Sequence, residues 1–278
     1  MPAPDGLEDE AGDTAIRRRI FLAGVAIDVV TEDDVCAQVA AGLSRGRGGI
    51  IVTPNVDHLR RLSRGDPMAS IYRRAALVVA DGTPLIWASR LAGTPLPARV
   101  PGSDLVWSIS ATAAAVGAPV AIVGGMPGSA ERAADRLTQC NPGLQIAGLA
   151  CPPFGFDEDP EVLQALIREI AGWRPAVVFT GLSSPKGDLF NGLLADAIPA
   201  AWLLGVGAAI DMVAVRVRRA PTWAHRTGLE WLFRLAQEPG RLGRRYLIED
   251  LPFACSLFAR CVAQRVARRP RSITRREG

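Results

Sequence analysis

The stretch from Gly49 to Leu105 contains GIIVTPNVDH (49–58), ALVVADGTP (76–84) and ARVPGSDL (98–105). Each segment opens on apolar or small residues and stops at groups able to bind a hydroxyl, a phosphate or a proton. These are Thr53, Asn55 and Asp57, then Asp81, then Arg99 and Asp104. In an open α/β sheet, ligands bind where parallel strands end, so this layout predicts a cleft with an acidic centre. Taken singly, Pro54-Asn55 and Asp81-Gly82 are also ordinary turn pairs, and it is their repetition at successive segment ends that points to a site.

Outward from this stretch, strand-like runs recur at Ile50–Thr53, Leu77–Ala80, Val120–Val123, Gln145–Leu149, Ala176–Thr180 and Trp202–Val206. Helical patterns lie between them. Over Pro160–Gly172, for example, Val162, Leu166, Ile167 and Ile170 fall on one face. Strands alternating with helices predict an α/β fold, a Rossmann-like parallel sheet flanked by helices and joined by right-handed crossovers. Near Asp211 the pattern changes to helices rich in arginine and tryptophan. The expected organisation is therefore a loose tail over 1–20, an α/β core over 21–210 and a helical, arginine-rich appendage over 211–278.

Asp81 is the candidate reactive group. It follows the apolar run Leu77–Ala80 directly, so partial desolvation is expected to raise its pKa and make it a better proton acceptor. Gly82 behind it lets backbone approach a ligand. A second strand–turn–helix corner, VAIVGGMPGSAERAADRL (120–137), offers Gly124, Gly125, Pro127, Gly128 and Ser129, with Ser129 as a plausible N-cap. Such a helix start can hold phosphate through its backbone N–H groups. The spacing matches neither a dinucleotide fingerprint nor a P-loop. A third loop, TGLSSPKGDLF (180–190), adds Ser183, Ser184 and Lys186, and a fourth, LLGVGAAIDMV (203–213), adds Gly207 and Asp211. Four such loops at strand ends suggest a cleft for a nucleotide diphosphate.

Composition narrows the classes. Half the chain is apolar, with 49% hydrophobic and 22% charged residues, enough to bury a full core. Five scattered cysteines, never spaced as CxxC, argue against a disulfide framework or structural zinc and fit a reducing cytoplasm. With two histidines, His58 and His225, a multi-histidine metal centre is not expected. The acidic runs Glu32-Asp33-Asp34 and Asp157-Glu158-Asp159 read as helix starts, so no metal and no cofactor is assigned. The uncharged span from Leu105 to Ala130 is broken by glycine and proline and reads as a helix, a turn and a buried strand, so no membrane-crossing segment is expected.

Charge is uneven: from Ile210 onward there are 15 arginines and lysines against 6 acids, leaving 17 against 22 upstream. A basic C-terminal segment suggests anionic partners, and an anionic membrane surface is the one expected. No nucleic-acid reading module accompanies the charge. Near the end, Ala254, Leu257, Phe258, Cys261, Val262 and Val266 line one helical face, opposite Arg260, Gln264, Arg268 and Arg269. Two readings of that helix stand: one lying on a membrane, and one packed on the core with a solvated outer face.

Read in order, TPNVDH, ADGTP, RVPGSDL, GGMPGSAERAA, NPGLQIAG, LGVGAAID and RRAPTWAHRTGLEWLFRLAQEPGRLGRRY resemble the WecG/TagA/CpsF glycosyltransferase family (glycosyltransferase family 26). The similarity runs from about Phe21 to about Phe258, and the last motif is the most specific. The resemblance implies a cytoplasmic, peripherally membrane-associated enzyme. It would move a hexose from a UDP-sugar donor, usually N-acetylmannosamine or its uronic acid, to a polyprenyl-diphosphate-linked acceptor, with inversion and without metal. It further implies Asp81 as general base, Thr53 and Asn55 as substrate-pocket residues, and Arg219, Arg241, Arg244 and Arg245 as the basic residues of the appendage. Gly102 belongs to the matching RVPGSDL run. The family's usual Pro-Lys-Gln-Glu is here Pro185-Lys186-Gly187-Asp188. That departure allows a different donor hexose, or a protein that binds nucleotide sugar or lipid diphosphate without turnover. The sequence leaves room for a homo-oligomer.

Overall fold

A computed structural model describes residues 18–215, 232, 235–236, 240 and 243–267. The chain opens with an antiparallel hairpin, β1 (Arg19–Leu22) and β2 (Val25–Asp28), followed by α1 (Glu32–Ser44). Then come β3 (Gly49–Val52), α2 (Val56–Leu62), α3 (Ala69–Arg74), β4 (Leu77–Val78), α4 (Thr83–Leu91) and α5 (Gly102–Ala115). The second half runs β5 (Val120–Gly124), α6 (Ser129–Cys140), β6 (Ile146–Ala150), α7 (Pro160–Gly172), β7 (Val177–Gly181), α8 (Lys186–Ala197), β8 (Trp202–Gly205) and α9 (Ala209–Val213). A π-helical segment, Arg244–Asp250, leads into α10 (Leu251–Ala267).

Strands β3 to β8 form one parallel sheet in the order β4-β3-β8-β7-β5-β6. All six runs expected from the sequence are strands of this sheet, β4 being the shortest at two residues. Successive residues of each strand point to opposite faces, and both faces are apolar, as a sheet covered on both sides requires. On one face Ile50, Val52, Val78, Ala121, Val123, Val178 and Leu203 join the core beneath the hairpin and α4, α7, α8 and α10. On the other, Ile51, Leu77, Val120, Ile122, Phe179 and Leu204 pack with Val35 and Val39 of α1, Leu105 and Ile109 of α5, Leu137 of α6 and Ile210 of α9. The molecule is thus an α/β sandwich with a C-terminal helix, the class the sequence predicts.

The hairpin had no clear signature in the sequence, because its strands are four residues each and β2 buries Ile27 and Asp28 in succession rather than alternate positions. Its purpose is local. Asp28 is buried, accepts a hydrogen bond from Arg19 Nε at 2.7 Å and another from the Val78 N–H at 2.8 Å. β4 is an edge strand, and Asp28 satisfies an outward N–H that would otherwise be left open in the core.

Helix starts differ by location. α1 is closed by a Thr31–Asp34 capping box and α7 by Asp159, which confirms both acidic runs as helix starts. Ser129, expected as an N-cap, is instead the first residue of α6. Gly128, at φ 78°, precedes it as the cap, because the two-glycine turn brings the chain in left-handed. The span from Leu105 to Ala130 resolves as α5, a turn at Gly117 and the fully buried strand β5. Among the described residues no helix is long and apolar enough to cross a membrane.

Helix α10 packs on α4, α2 and the π-helical segment. Of the face expected to be apolar, Ala254, Leu257 and Cys261 are buried against the core, while Val262 and Val266 remain exposed. The packed reading of this helix therefore accounts for most of its apolar face. Arg268 and Arg269 lie outside the described residues.

Candidate functional site

The site grows from the C-terminal ends of β3 and β4. Their parallel pairing continues past the last strand residues: the Val79 N–H donates to the Val52 carbonyl and the Asp81 N–H to the Pro54 carbonyl, each at 2.9 Å. Asp81 is thereby locked beside Pro54-Asn55. The Val100 N–H donates to the Ala80 carbonyl at 2.9 Å, which brings Arg99 along the other side of the same strand end. Gly82 then turns the chain at φ 105° into α4, a backbone angle that a side chain would strain.

A cleft of about 240 Å³ opens over these ends. Asn55, Asp57, Asp81, Gly82 and Arg99 line its core side, and Arg245, Tyr246, Asp250 and Leu251 its appendage side. Trp87, Leu247 and Phe258 add apolar surface. The sequence reading thus brings Asn55, Asp81, Gly82, Arg99 and Arg245 into one cavity. It missed Trp87, Tyr246 and Asp250. Trp87 lies on a helix face that carries no polar signal, and the other two come from a segment about 165 residues further along the chain.

Asn55 is held firmly. It caps α2, accepting from the His58 N–H at 3.3 Å, and its Oδ1 lies 2.8 Å from His58 Nδ1. Burial holds the His58 pKa below its usual value, against the pull of Asp188 and Asp57. The Asn55 N–H in turn donates to His58 Nδ1 at 3.4 Å, so the two residues close the start of α2 as a reciprocal capping box. His58 Nε2 is 4.0 Å from Asp188 Oδ2, and Asp188 accepts from Ser184 Oγ at 2.6 Å.

The remaining expected residues lie around the neighbouring strand ends. Gly102 begins α5 against β3 and β8; a Cβ there would meet Thr53 Oγ1 at 3.5 Å and the Gly205 carbonyl at 3.6 Å. Asp104 follows in the first turn of α5. Gly124, Gly125, Pro127, Gly128 and Ser129 form the β5–α6 corner. A Cβ on Gly124 would come within 3.0 Å of the Gly181 backbone. Asp211 is buried and accepts from the Met126 N–H at 2.8 Å, so it braces the glycine turn. Gly207 lies in the β8–α9 turn at φ 51°. None of these residues lines the 240 Å³ cleft.

Lys186 is directed elsewhere: it pairs with Asp157 and stands over the rings of Phe154 and Phe156. Arg244 is exposed and pairs with Glu249 at 3.5 Å. Arg219 and Arg241 lie outside the described residues. Helices α4, α5, α6, α8 and α9 all start at the carboxyl edge of the sheet without a side-chain cap, unlike α1 and α7. Their N-terminal backbone dipoles make that edge favourable for an anion.

This geometry can do three things. A carboxylate at a strand end can take a proton, arginines can neutralise a phosphate, and a cavity with apolar surface can admit a partly hydrophobic substrate. Residues 20–268 match the glycosyl transferase WecG/TagA/CpsF family. A relative from Bacillus spizizenii, the N-acetylglucosaminyldiphosphoundecaprenol N-acetyl-β-D-mannosaminyltransferase, is 28% identical over 202 residues, covering 73% of this chain and 76% of that protein.

Proposed function

This chain belongs to the glycosyl transferase WecG/TagA/CpsF family and is a glycosyltransferase, and we propose how its cleft works. It moves a hexose, of the N-acetylmannosamine type or a related one, from a UDP-sugar to a polyprenyl-diphosphate-linked acceptor sugar in cell-surface polysaccharide biosynthesis. Asp81 is the base: it accepts the proton of the acceptor hydroxyl as that oxygen attacks the anomeric carbon from the face opposite the departing UDP, giving inversion. Asn55, which lines the cleft, orients a sugar hydroxyl through its side-chain amide. Arg99 and Arg245 offset the negative charge that builds on the diphosphate.

The donor nucleotide is assigned to the glycine corners beside the cleft, Gly124 to Ser129 and Gly205 to Gly207, where backbone approaches closely and helices begin uncapped. Thr53 and Gly102 lie against each other beside the Gly205 carbonyl, at the edge of that region. The acceptor enters from the appendage side, where Trp87, Leu247 and Leu251 are exposed beside the cavity. Leu247 and Leu251, with Ile248, Val262 and Val266, give the appendage an exposed apolar surface on the same segment as Arg260 and Arg265. That combination suits peripheral attachment to an anionic membrane on its cytoplasmic face. The observation that carries the proposal is Asp81, fixed by backbone at a strand end and lining a cleft that the appendage closes.

The test is transfer from a panel of radiolabelled UDP-sugars to a synthetic polyprenyl-diphosphate N-acetylglucosamine. A single extended glycolipid, formed with one donor, is expected. Binding of a UDP-sugar with no product from any donor would instead favour the non-catalytic binding protein to which the changed Gly187-Asp188 loop gives some support.

A further inference from the structure

Arg245 at the cleft and Arg60 behind it are joined through two shared carboxylates. Arg60, on α2, is buried. Its Nη2 donates to Asp57 Oδ1 at 2.5 Å and its Nε to Asp250 Oδ1 at 2.9 Å. The same Nη2 lies 2.9 Å from Glu249 Oε2. The second oxygens of the two aspartates face Arg245, whose Nε is 3.8 Å from Asp57 Oδ2 and 3.7 Å from Asp250 Oδ2. Charges alternate around this ring, with Arg60 at its back and Arg245, 36% exposed at its side chain, at its front. Arg245, Asp57 and Asp250 line the cleft and Arg60 does not.

The ring joins two parts of the chain 190 residues apart. Apolar packing of Ala254, Leu257 and Cys261 already attaches α10 to the core, so adhesion does not require a buried charge. A buried arginine also carries a desolvation cost that charge pairing at best roughly cancels. What the ring adds is direction. Without Arg60, Asp57 and Asp250 would repel each other; burial and that repulsion already hold the Asp250 pKa above its usual value. The Arg245 Nε is buried with no hydrogen-bond partner among the described residues, so its aim rests on the two outward carboxylate oxygens.

We infer that Arg60 is a positioning residue: it fixes Asp57 and Asp250 so that their second oxygens aim the Arg245 guanidinium into the cleft, toward the diphosphate. This rests on the transfer reaction proposed above. Misplacing a charge-stabilising group by about 1 Å can cost on the order of 100-fold in rate, so the effect should be large in kcat.

The test uses the full-length enzyme and compares Arg60→Met, Arg60→Lys, Arg245→Ala and the double variant Arg60→Met/Arg245→Ala, with Asp250→Asn as a milder break in the ring. Arg60→Met should lower kcat by about 10- to 100-fold with donor KM within about threefold. The double variant should be no more than about threefold worse than Arg245→Ala, because Arg60 acts through that residue. Arg60→Lys, which cannot reach both aspartates with a fork, should recover only part of the rate. Asp250→Asn should lower kcat in the same sense. Losses that multiply in the double variant, or an unchanged kcat in Arg60→Met, would overturn the inference. Amide hydrogen exchange over residues 244–250 reads the ring without any turnover. Protection there should fall in Arg60→Met while residues 251–267 stay protected; unchanged protection overturns the inference even if the wild type shows no transfer.

Discussion

At the scale of single residues, the loop after β7 is packed closely around Gly187. A Cβ on Gly187 would meet the Leu182 carbonyl oxygen at 2.9 Å, a backbone atom that cannot swing aside. Asp188 is engaged by Ser184, and Lys186 has turned to Asp157 and the Phe154 and Phe156 rings. Placing at Gly187 the glutamine that the resemblance implies is therefore expected to harm this chain. Gly187→Gln should lower stability by about 1–3 kcal/mol in denaturant unfolding, the usual cost of overpacking, without widening donor use. A variant as stable as the wild type would show that the loop has slack. Three of the residues named from the sequence that the fold gathers at the cleft share a property: Asp81, Asn55 and Arg99 stand at the ends of apolar segments, where chemistry and topology coincide. Lys186 stood at such an end too, yet its long side chain reached an acid on another loop. A flexible side chain's direction is not written in its neighbours along the chain.

At the scale of elements, the parallel strands were legible because both faces are buried and each reads as a continuous apolar run. The hairpin was not, since its strands are short and its tie to the sheet runs through Asp28, which meets the edge of β4 across 50 residues. That contact yields a sharp expectation. Asp28→Ala leaves the buried Val78 N–H without a partner, a loss of about 1–3 kcal/mol, or roughly 3–10 °C in Tm for a chain near this size. Asp28→Asn, which keeps an oxygen for Val78, should lose about half as much. Calorimetry on the three proteins decides it, and equal melting temperatures would mean that the hairpin is not tied to the sheet through this residue. Helix α10 shows the converse limit. Its amphipathic pattern was plain, but periodicity gives a face without saying what covers it; the core took Ala254, Leu257 and Cys261, leaving Val262 and Val266 outside.

At the scale of the whole molecule, the candidate site belongs to two distant parts of the chain. The sheet edge supplies Asn55, Asp81 and Arg99, and the appendage supplies Arg245, Tyr246 and Asp250. Sequence order gave the first set almost completely. Of the second set the resemblance gave Arg245; Tyr246 and Asp250 needed the fold, because docking of residues 244–267 on α2 and α4 brings them over the strand ends. The central claim is that the carboxylate at the end of β4 removes a proton from the acceptor. The most direct measurement is single-turnover transfer by Asp81→Asn, with UDP-sugar binding followed by calorimetry on the same preparation. The substitution keeps the shape and loses the base, so the rate should fall by about 10²- to 10⁴-fold while donor affinity stays within a few-fold of the wild type. Turnover at the wild-type rate would remove Asp81 as the base and contradict the account.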